Sequence, residues 1–173
     1  MADYKSMKIA HMKAKQSARQ YRVFVSYSTK DLPIVEQVRA ALKGVGAEPF
    51  VAEHDIAPGE SLRESILTAI RQADAFVLLW STASSQADWV RHEVGIATGA
   101  GRLIIPVLLS PEARLPSFLS DTKYLSACGN LQKGLAQLSE LVAGHARSKA
   151  SNEQAKAFAV LAALVALLFV ARE

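Results

Sequence analysis

The segment Tyr21-Arg-Val-Phe-Val-Ser-Tyr27 is apolar and β-branched along most of its length, which predicts a strand buried inside a sheet. An amphipathic helix is predicted directly after it, because apolar residues recur there at steps of three and four, at Leu32, Val35, Val38, Leu42 and Val45. Asp31 offers an N-cap for this helix, and Pro33 stands in its first turn. Strand and helix together form the first unit of an alternating α/β pattern.

The same alternation continues to residue 142. Apolar runs predict further strands at 48–51, 75–80, 103–109 and near 124–125, and periodic segments predict helices at 62–70, 89–100 and 131–142. Loops are expected at 53–60 and 81–88, and Pro106 indicates an irregular or edge position in its strand. Apolar strands joined by short connections predict an α/β fold, a flavodoxin-like, doubly wound, parallel five-stranded sheet with helices on both faces.

Composition limits the class of protein. The chain has 173 residues, half of them hydrophobic, so one well-packed domain is expected and global disorder is excluded. Its single cysteine, Cys128, excludes an internal disulfide, and no metal site is expected because His54 and His92 lack partners at ligand spacing. No signal peptide is expected, since the first apolar segment begins near Tyr21, and the domain is placed in the cytoplasm.

The two ends of the chain differ from the domain, 21–147. Residues 1–20 form a basic arm, interpreted either as a solvated leader or as a contact to anionic lipid; without interleaved aromatic residues, no nucleic-acid partner is expected. After a linker at 148–156, residues 157–171 are uncharged and predict a hydrophobic helix of roughly 22 Å, against a hydrocarbon core of ~30 Å. Two interpretations stay open: a membrane anchor with the domain on the cytoplasmic side, or, in a soluble protein, a helix packed into an oligomer or against the domain itself.

The carboxyl ends of the strands are where doubly wound sheets bind ligands. After the first strand comes Ser26-Tyr-Ser-Thr-Lys-Asp31, whose hydroxyl groups can hydrogen-bond a nucleotide ahead of a helix N-terminus. The alternative interpretation is a polar loop that only caps the helix. No P-loop sequence occurs, and the acidic residues of a phosphorelay receiver are missing from the two strand ends that would carry them.

A tryptophan and a glutamate follow the third strand, in Asp88-Trp-Val-Arg-His-Glu93. Trp89 and Glu93 are four residues apart and therefore share one face of a helix. An aromatic plane beside a carboxylate suits a sugar or a base, and the carboxylate can stabilise positive charge at an anomeric carbon during glycosidic bond cleavage. The alternative is a core tryptophan next to a surface glutamate that the helix dipole favours.

Taken together, these segments resemble the Toll/interleukin-1 receptor (TIR) domain family, of the NAD-cleaving and bacterial type. Tyr21-Arg-Val-Phe-Val-Ser-Tyr-Ser is similar to its first-strand box, Asp55-Ile-Ala-Pro-Gly-Glu60 to its BB loop, and Trp89-Val-Arg-His-Glu93 to the Trp-x-x-x-Glu of NAD-cleaving members. The resemblance implies an NAD⁺ nucleosidase or cyclase that needs no cofactor, uses NAD⁺ as substrate, and signals or acts in antiphage defence. The product, ADP-ribose or a cyclic isomer, is left open.

The resemblance also implies roles for individual residues. Glu93 would be the catalytic carboxylate, and the substrate would be bound by Trp89, Ser26, Tyr27, Ser28 and Lys30. Active homo-oligomers would form through the BB loop, at Asp55, Ile56, Pro58 and Gly59. One departure is that some NAD-cleaving relatives carry arginines where this chain has Ser28-Thr29, which leaves phosphate contacts to Lys30. The alternative function is a non-catalytic adaptor that binds other TIR domains.

Overall fold

The sheet has five parallel strands in the order β2-β1-β3-β4-β5. Their bounds are β1 Tyr21–Ser26, β2 Ala47–Phe50, β3 Ala75–Trp80, β4 Leu103–Leu108 and β5 Leu125–Ser126. The strand order reverses once, between β1 and β3, which confirms the predicted doubly wound, flavodoxin-like topology and places a ligand crevice at that reversal. The computed structural model describes residues 20–170, and only the backbone of 157–158 and 160–170.

Six α-helices connect or follow the strands. They are α1 Leu32–Gly44, α2 Ala52–Asp55, α3 Leu62–Gln72, α4 Thr82–Ser85, α5 Asp88–Gly99 and α6 Leu131–Val170, and two 3-10 turns lie at Thr29–Asp31 and Ser117–Leu119. The one-turn helices α2 and α4 lie where the sequence predicted only loops. In α4, Ser81 and Ser84 form a reciprocal capping box, which satisfies the backbone N–H groups that such a short helix exposes.

The core lies on both faces of the central strand β3. All six residues of β3 are buried, as expected for a parallel strand covered by helices on each side. On one face, the ring of Phe24 stacks between those of Phe50 and Phe76, with centroid distances of 5.5 and 5.4 Å. Burying each such side chain contributes about 1.5–3 kcal/mol. This rigid central layer positions the strand ends from which the candidate site is built.

Pro106 lies inside β4 rather than at an edge of the sheet. It is opposite Leu78 of β3, whereas the pairing of β4 with β5 begins only at Val107. The missing N–H group of proline is therefore accommodated where β4 has a partner on one side only. β4 is not an edge strand, but at Pro106 it lacks a partner on one side because β5 has only two residues, which agrees with the predicted edge position. The register with β3 is continuous through Pro106, so no irregularity is seen there.

The last helix buries its predicted apolar face at Leu135, Leu138 and Val142. Its backbone approaches the sheet closely at Gly134, where an added Cβ would lie 2.6 Å from the Cβ of Ala127. Any larger residue at this position would force the helix away from the end of β5. The first part of α6 thus closes the compact unit that residues 20–143 form.

The residues from Gly144 onward belong to a second unit. Residues 148–156, predicted as a linker, are helical, because they contain no glycine or proline and include the helix formers alanine, lysine, glutamate and glutamine. No helix within the described part of the chain is both long and apolar enough to cross a membrane. The predicted hydrophobic anchor at 157–171 gains no support, and Ala171 and the basic arm up to residue 19 lie outside the described residues.

Candidate active site

A cavity of about 470 Å³ opens at the carboxyl end of β1, beside the reversal of strand order. Four parts of the chain surround it: the end of β1 with its loop, the turn α2, the start of α3 and the first turns of α5. Its lining residues are Phe24, Val25, Tyr27, Thr29, Ala52, Glu53, Leu62, Ile66, Trp89 and Glu93. The cavity lies where the topology of a doubly wound sheet predicts a ligand.

Glu93 is the buried acid of this pocket, with 8% of its surface exposed. Its Oε2 accepts a 2.6 Å hydrogen bond from the Ser26 hydroxyl at the end of β1. Burial raises the pKa of Glu93 to about 7; repulsion from Glu53 adds to this increase, and the Ser26 hydrogen bond opposes it. No basic side chain of the described residues forms an ion pair with Glu93. At neutral pH this carboxyl group can therefore exchange a proton.

Trp89 lies one helical turn before Glu93 and forms a wall of the same pocket. Its side chain is 51% exposed, and its Nε1 donates a long hydrogen bond of 3.4 Å to the carbonyl oxygen of Tyr27. The alternative of a core tryptophan beside a surface glutamate is wrong, since the tryptophan is exposed and the glutamate is buried. An exposed indole next to a buried acid favours a binding role for the ring.

The loop after β1 separates into residues that reach the pocket and residues that do not. Tyr27 lines the pocket, and its hydroxyl group is buried without a hydrogen-bond partner among the described residues. Ser26 lies behind Glu93, and Ser28 is buried with its Oγ accepting the backbone N–H of Lys30. The Lys30 side chain is exposed and is not part of the lining. The polar-loop interpretation therefore fits Ser28, and a ligand role fits Tyr27.

Asp31 differs from its predicted role as a helix cap. Although it occupies the N-cap position of α1, its side chain makes no capping hydrogen bond. Its Oδ2 instead accepts a 2.7 Å hydrogen bond from the hydroxyl of Ser81, at the end of β3. This bond ties together the loops that follow two neighbouring strands, which sequence spacing alone could not reveal.

The predicted assembly loop lies outside the lining of the Glu93 pocket. Asp55 accepts a 2.6 Å hydrogen bond from the backbone N–H of Val51, which fixes the turn α2. Pro58 and Gly59 are exposed in a tight turn, where Gly59 has a φ of 93° that favours glycine. Ile56 is half-buried. A contact between protomers through this loop stays a prediction.

Seven of the ten lining residues were not predicted from the sequence as site residues, and Thr29, Glu53 and Leu62 are the ones that differ most in their signal. Thr29 and Glu53 each follow a strand at the carboxyl edge of the sheet, so the rule that located the site could have found them. Leu62 is 59% exposed at the start of α3, and no sequence signal separates it from other apolar positions of that helix. Among the described residues, no group of three acidic, histidine or cysteine side chains could hold a metal ion.

A larger cavity, of about 620 Å³, lies between β1, β2 and α3. Its lining includes Arg22 and Glu48, which form an ion pair at 3.7 Å, and the exposed acids Glu60 and Glu64. None of the acids that line it is buried. We place the candidate active site in the smaller pocket, because a buried acid with a strongly raised pKa is typical of catalytic sites.

These features define a class: a doubly wound α/β domain with an exposed indole and a buried carboxyl group at its ligand crevice. A family model described as TIR domain matches residues 23–142. The chain belongs to the TIR domain family. No functionally curated protein sequence matches it.

Solved structures show the same fold at low sequence identity. The TIR domain of the Toll-related receptor TRR-2 from Hydra magnipapillata is 23% identical, with a TM-score of 0.61 over 69% of this chain and 96% of that one. A TIR-STING receptor from C. gigas, solved with 2′,3′-cGAMP, is 22% identical, with a TM-score of 0.61 over 70% of this chain and 39% of the receptor chain. The CMP N-glycosidase BcmB of Clostridium botulinum is 19% identical, with a TM-score of 0.51 over 68% of this chain and 97% of the BcmB chain.

Proposed function

We propose that this TIR domain is an NAD⁺ nucleosidase, or a related cyclase, with Glu93 as its catalytic carboxylate. The observation that carries the proposal is the buried Glu93 in an open pocket of about 470 Å³, held by Ser26 at 2.6 Å and paired with no basic side chain of the described residues. A buried acid without a cation lowers the stability of the fold, so its presence favours a role in chemistry.

The proposed reaction begins with cleavage of the bond between C1′ of ribose and the nicotinamide nitrogen. Both electrons of that bond leave with the neutral nicotinamide, and the positive charge moves to the ribosyl group as an oxocarbenium ion. The Glu93 carboxylate stabilises this ion by its negative charge in a site of low polarity. Water then adds at C1′ and gives its proton to the carboxylate, which yields ADP-ribose; attack by an adenine nitrogen instead yields a cyclic isomer.

The pocket wall supports a flat, cationic leaving group. The exposed Trp89 ring offers a surface on which a pyridinium ring can stack with a favourable cation–π interaction. Tyr27 and Thr29 supply hydroxyl-bearing side chains on the β1 side of the lining. A structural neighbour whose name gives N-glycosidase activity on CMP supports the view that this fold is compatible with N-glycoside cleavage.

Self-association forms part of the proposal. The turn at Pro58 and Gly59 is exposed and is not part of the pocket lining, which leaves it available for a second protomer. The same exposed turn favours the second candidate function, an adaptor that binds other TIR domains without catalysis. The two functions differ in whether Glu93 is needed for a chemical product.

The test is nicotinamide release from NAD⁺ by the full chain at high protein concentration, comparing wild type with Glu93→Gln. We expect the variant to lose at least about a hundredfold in kcat, the range for removing a group that stabilises charge in the transition state. Glutamine has nearly the same shape and can still accept the Ser26 hydrogen bond, so the fold is expected to survive.

The matched control is Glu64→Gln, an exposed glutamate of α3 in the lining of the other cavity. It removes the same charge and should keep wild-type turnover. Equal turnover in the Glu93→Gln variant, or no turnover by assembled wild-type protein, would contradict the proposal and favour the adaptor.

A further inference from the structure

A second acid, Glu53, lines the candidate active site. Glu53 belongs to the turn α2, is exposed, and lies close enough to Glu93 for repulsion between the two carboxyl groups to raise the pKa of Glu93. The neighbouring side chains are engaged elsewhere: Asp55 binds the backbone N–H of Val51, and His54 pairs with Glu36. Glu53 is thus the acid of this turn that faces the pocket.

The turn that carries Glu53 is held in place. The backbone N–H groups of His54 and Asp55 donate to the carbonyl oxygen of Val51, at 2.9 and 3.0 Å, in addition to the Asp55 side-chain bond. Val51 itself is fully buried at the end of β2. Because the turn is anchored to the sheet, the position of the Glu53 backbone relative to the pocket is fixed before a ligand arrives.

The charges of the lining have one sign. Of its ten residues, Glu53 and Glu93 are acidic and none is basic, and the others are apolar, aromatic or hydroxyl-bearing. A phosphate group in this space would meet two carboxylates and no compensating cation, which is unfavourable. A positively charged ring would instead be attracted by both acids and by the face of Trp89.

We propose that Glu53 is a specificity-determining residue that selects ligands whose ring inside the pocket carries a positive charge. On the proposed function, on which this inference rests, the selected substrates are pyridinium N-ribosides, with their phosphates outside this pocket. Glu53 discriminates by its charge, whereas Glu93 acts on the reacting atoms. Ligands whose ring is neutral or anionic when bound are disfavoured by the same negative field.

A binding experiment tests this without any turnover. The probes are 1-methylnicotinamide, a permanent cation, and nicotinamide, a neutral molecule of nearly the same shape, each titrated into the full chain at pH 6 and followed by NMR. At this pH most Glu93 is protonated, because its pKa is about 7, so the part of the charge preference that the acids contribute comes mainly from Glu53. We expect the wild type to bind the cation roughly twofold to fivefold more tightly, as for a partly exposed charge pair.

Glu53→Gln should lower the preference for the cation by roughly twofold to fivefold, leaving only what the Trp89 ring contributes, and the matched control Glu64→Gln should keep the wild-type ratio. A wild type without preference for the cation, or a Glu53→Gln variant that keeps the ratio, overturns the inference.

Turnover separates this inference from the proposed function. The ratio of kcat/KM for NAD⁺ to that for nicotinic acid adenine dinucleotide, whose leaving ring carries a carboxylate, should fall roughly twofold to fivefold in Glu53→Gln. If the wild type cleaves NAD⁺ and this ratio does not change, the Glu53 inference fails alone. If the wild type cleaves neither substrate, the proposed function fails, and the binding ratio decides the role of Glu53.

Discussion

Two cavities among the described residues each contain a glutamate, but in opposite environments. In the larger cavity, Glu48 is exposed and forms an ion pair with Arg22 at 3.7 Å. In the smaller one, Glu93 is buried and receives a single hydroxyl hydrogen bond, from Ser26. A solvated, paired acid keeps its charge with little effect on the fold. A buried and unpaired acid opposes folding when it is ionised. Such a destabilising residue is expected at a site where its chemistry is needed for function.

Among the changes that test this comparison, we expect the largest effect from Glu93→Gln, which should stabilise the folded protein. The folded-state pKa of Glu93 is raised from 4.5 to about 7, so between these values the folded protein holds a proton that the unfolded chain has lost. Wild-type stability therefore falls as pH rises from about 4.5 to 7 and then levels off. Glutamine removes this loss, and at pH 8 the variant should be more stable by about 3 kcal/mol, at about 1.36 kcal/mol per pKa unit.

Urea unfolding at pH 4.5, 6 and 8 measures this difference, and Glu48→Gln serves as the comparison variant from the larger cavity. Its solvated ion pair is worth at most about 1 kcal/mol, so this variant should show no stabilisation at any pH. A Glu93→Gln variant that is no more stable than wild type at pH 8 would show that the carboxyl group is not desolvated in the folded protein.

A medium effect is expected from Ser26→Ala. The Ser26 hydrogen bond lowers the pKa of Glu93. It thus opposes the increase in this pKa that is caused by burial and by the negative charge of Glu53 in α2. Without the hydroxyl group, the midpoint of kcat/KM against pH should move from about 7 upward by about one unit, since a hydrogen bond to a charged group is worth about 1.5 kcal/mol. Activity would fall about tenfold at pH 6 and recover at high pH.

Ser26→Thr keeps the hydroxyl group and should restore a midpoint near the wild-type value. If Ser26 only supported the fold, Ser26→Ala would lower activity equally at every pH and leave the midpoint unchanged. The pH profile therefore separates a positioning residue from a structural one.

Sequence patterns predicted the sheet because most of its strands are rich in apolar residues, and β3 is apolar throughout. The six buried residues of β3 and the strand order that follows from short connections are local and topological properties that a chain displays directly. The spacing of Trp89 and Glu93 likewise predicted one shared helical face, and both line the same pocket. What spacing could not give was which of the two is buried, because burial depends on the packing of α5 against the end of β1.

Two unpredicted hydrogen bonds at the strand ends join residues far apart in the chain. Ser26 and Glu93 are 67 residues apart, and Asp31 and Ser81 are 50 apart. Asp31 occupies the position expected of a helix cap, yet its carboxylate makes no capping hydrogen bond. It instead accepts a hydrogen bond from the hydroxyl of Ser81, which the neighbouring strand β3 brings close. The turn α2 was missed although its contact is local, since Asp55 stabilises it by accepting a hydrogen bond from the backbone N–H of Val51.

The smallest effect is expected for Trp89, which lies on α5 together with Glu93. Trp89 is half exposed and makes only a long hydrogen bond to Tyr27, so its removal should change folding stability by less than about 1 kcal/mol. Its proposed contribution is stacking, worth about 1 kcal/mol for a ring that remains partly in solvent. Trp89→Ala should therefore raise KM for NAD⁺ about fivefold with kcat nearly unchanged, and Trp89→Phe, which keeps an aromatic face, should raise it less than about twofold. A fall in kcat at constant KM would instead mean that the indole acts on the reacting atoms. It would contradict the assignment of substrate binding to the exposed ring and of chemistry to the buried acid.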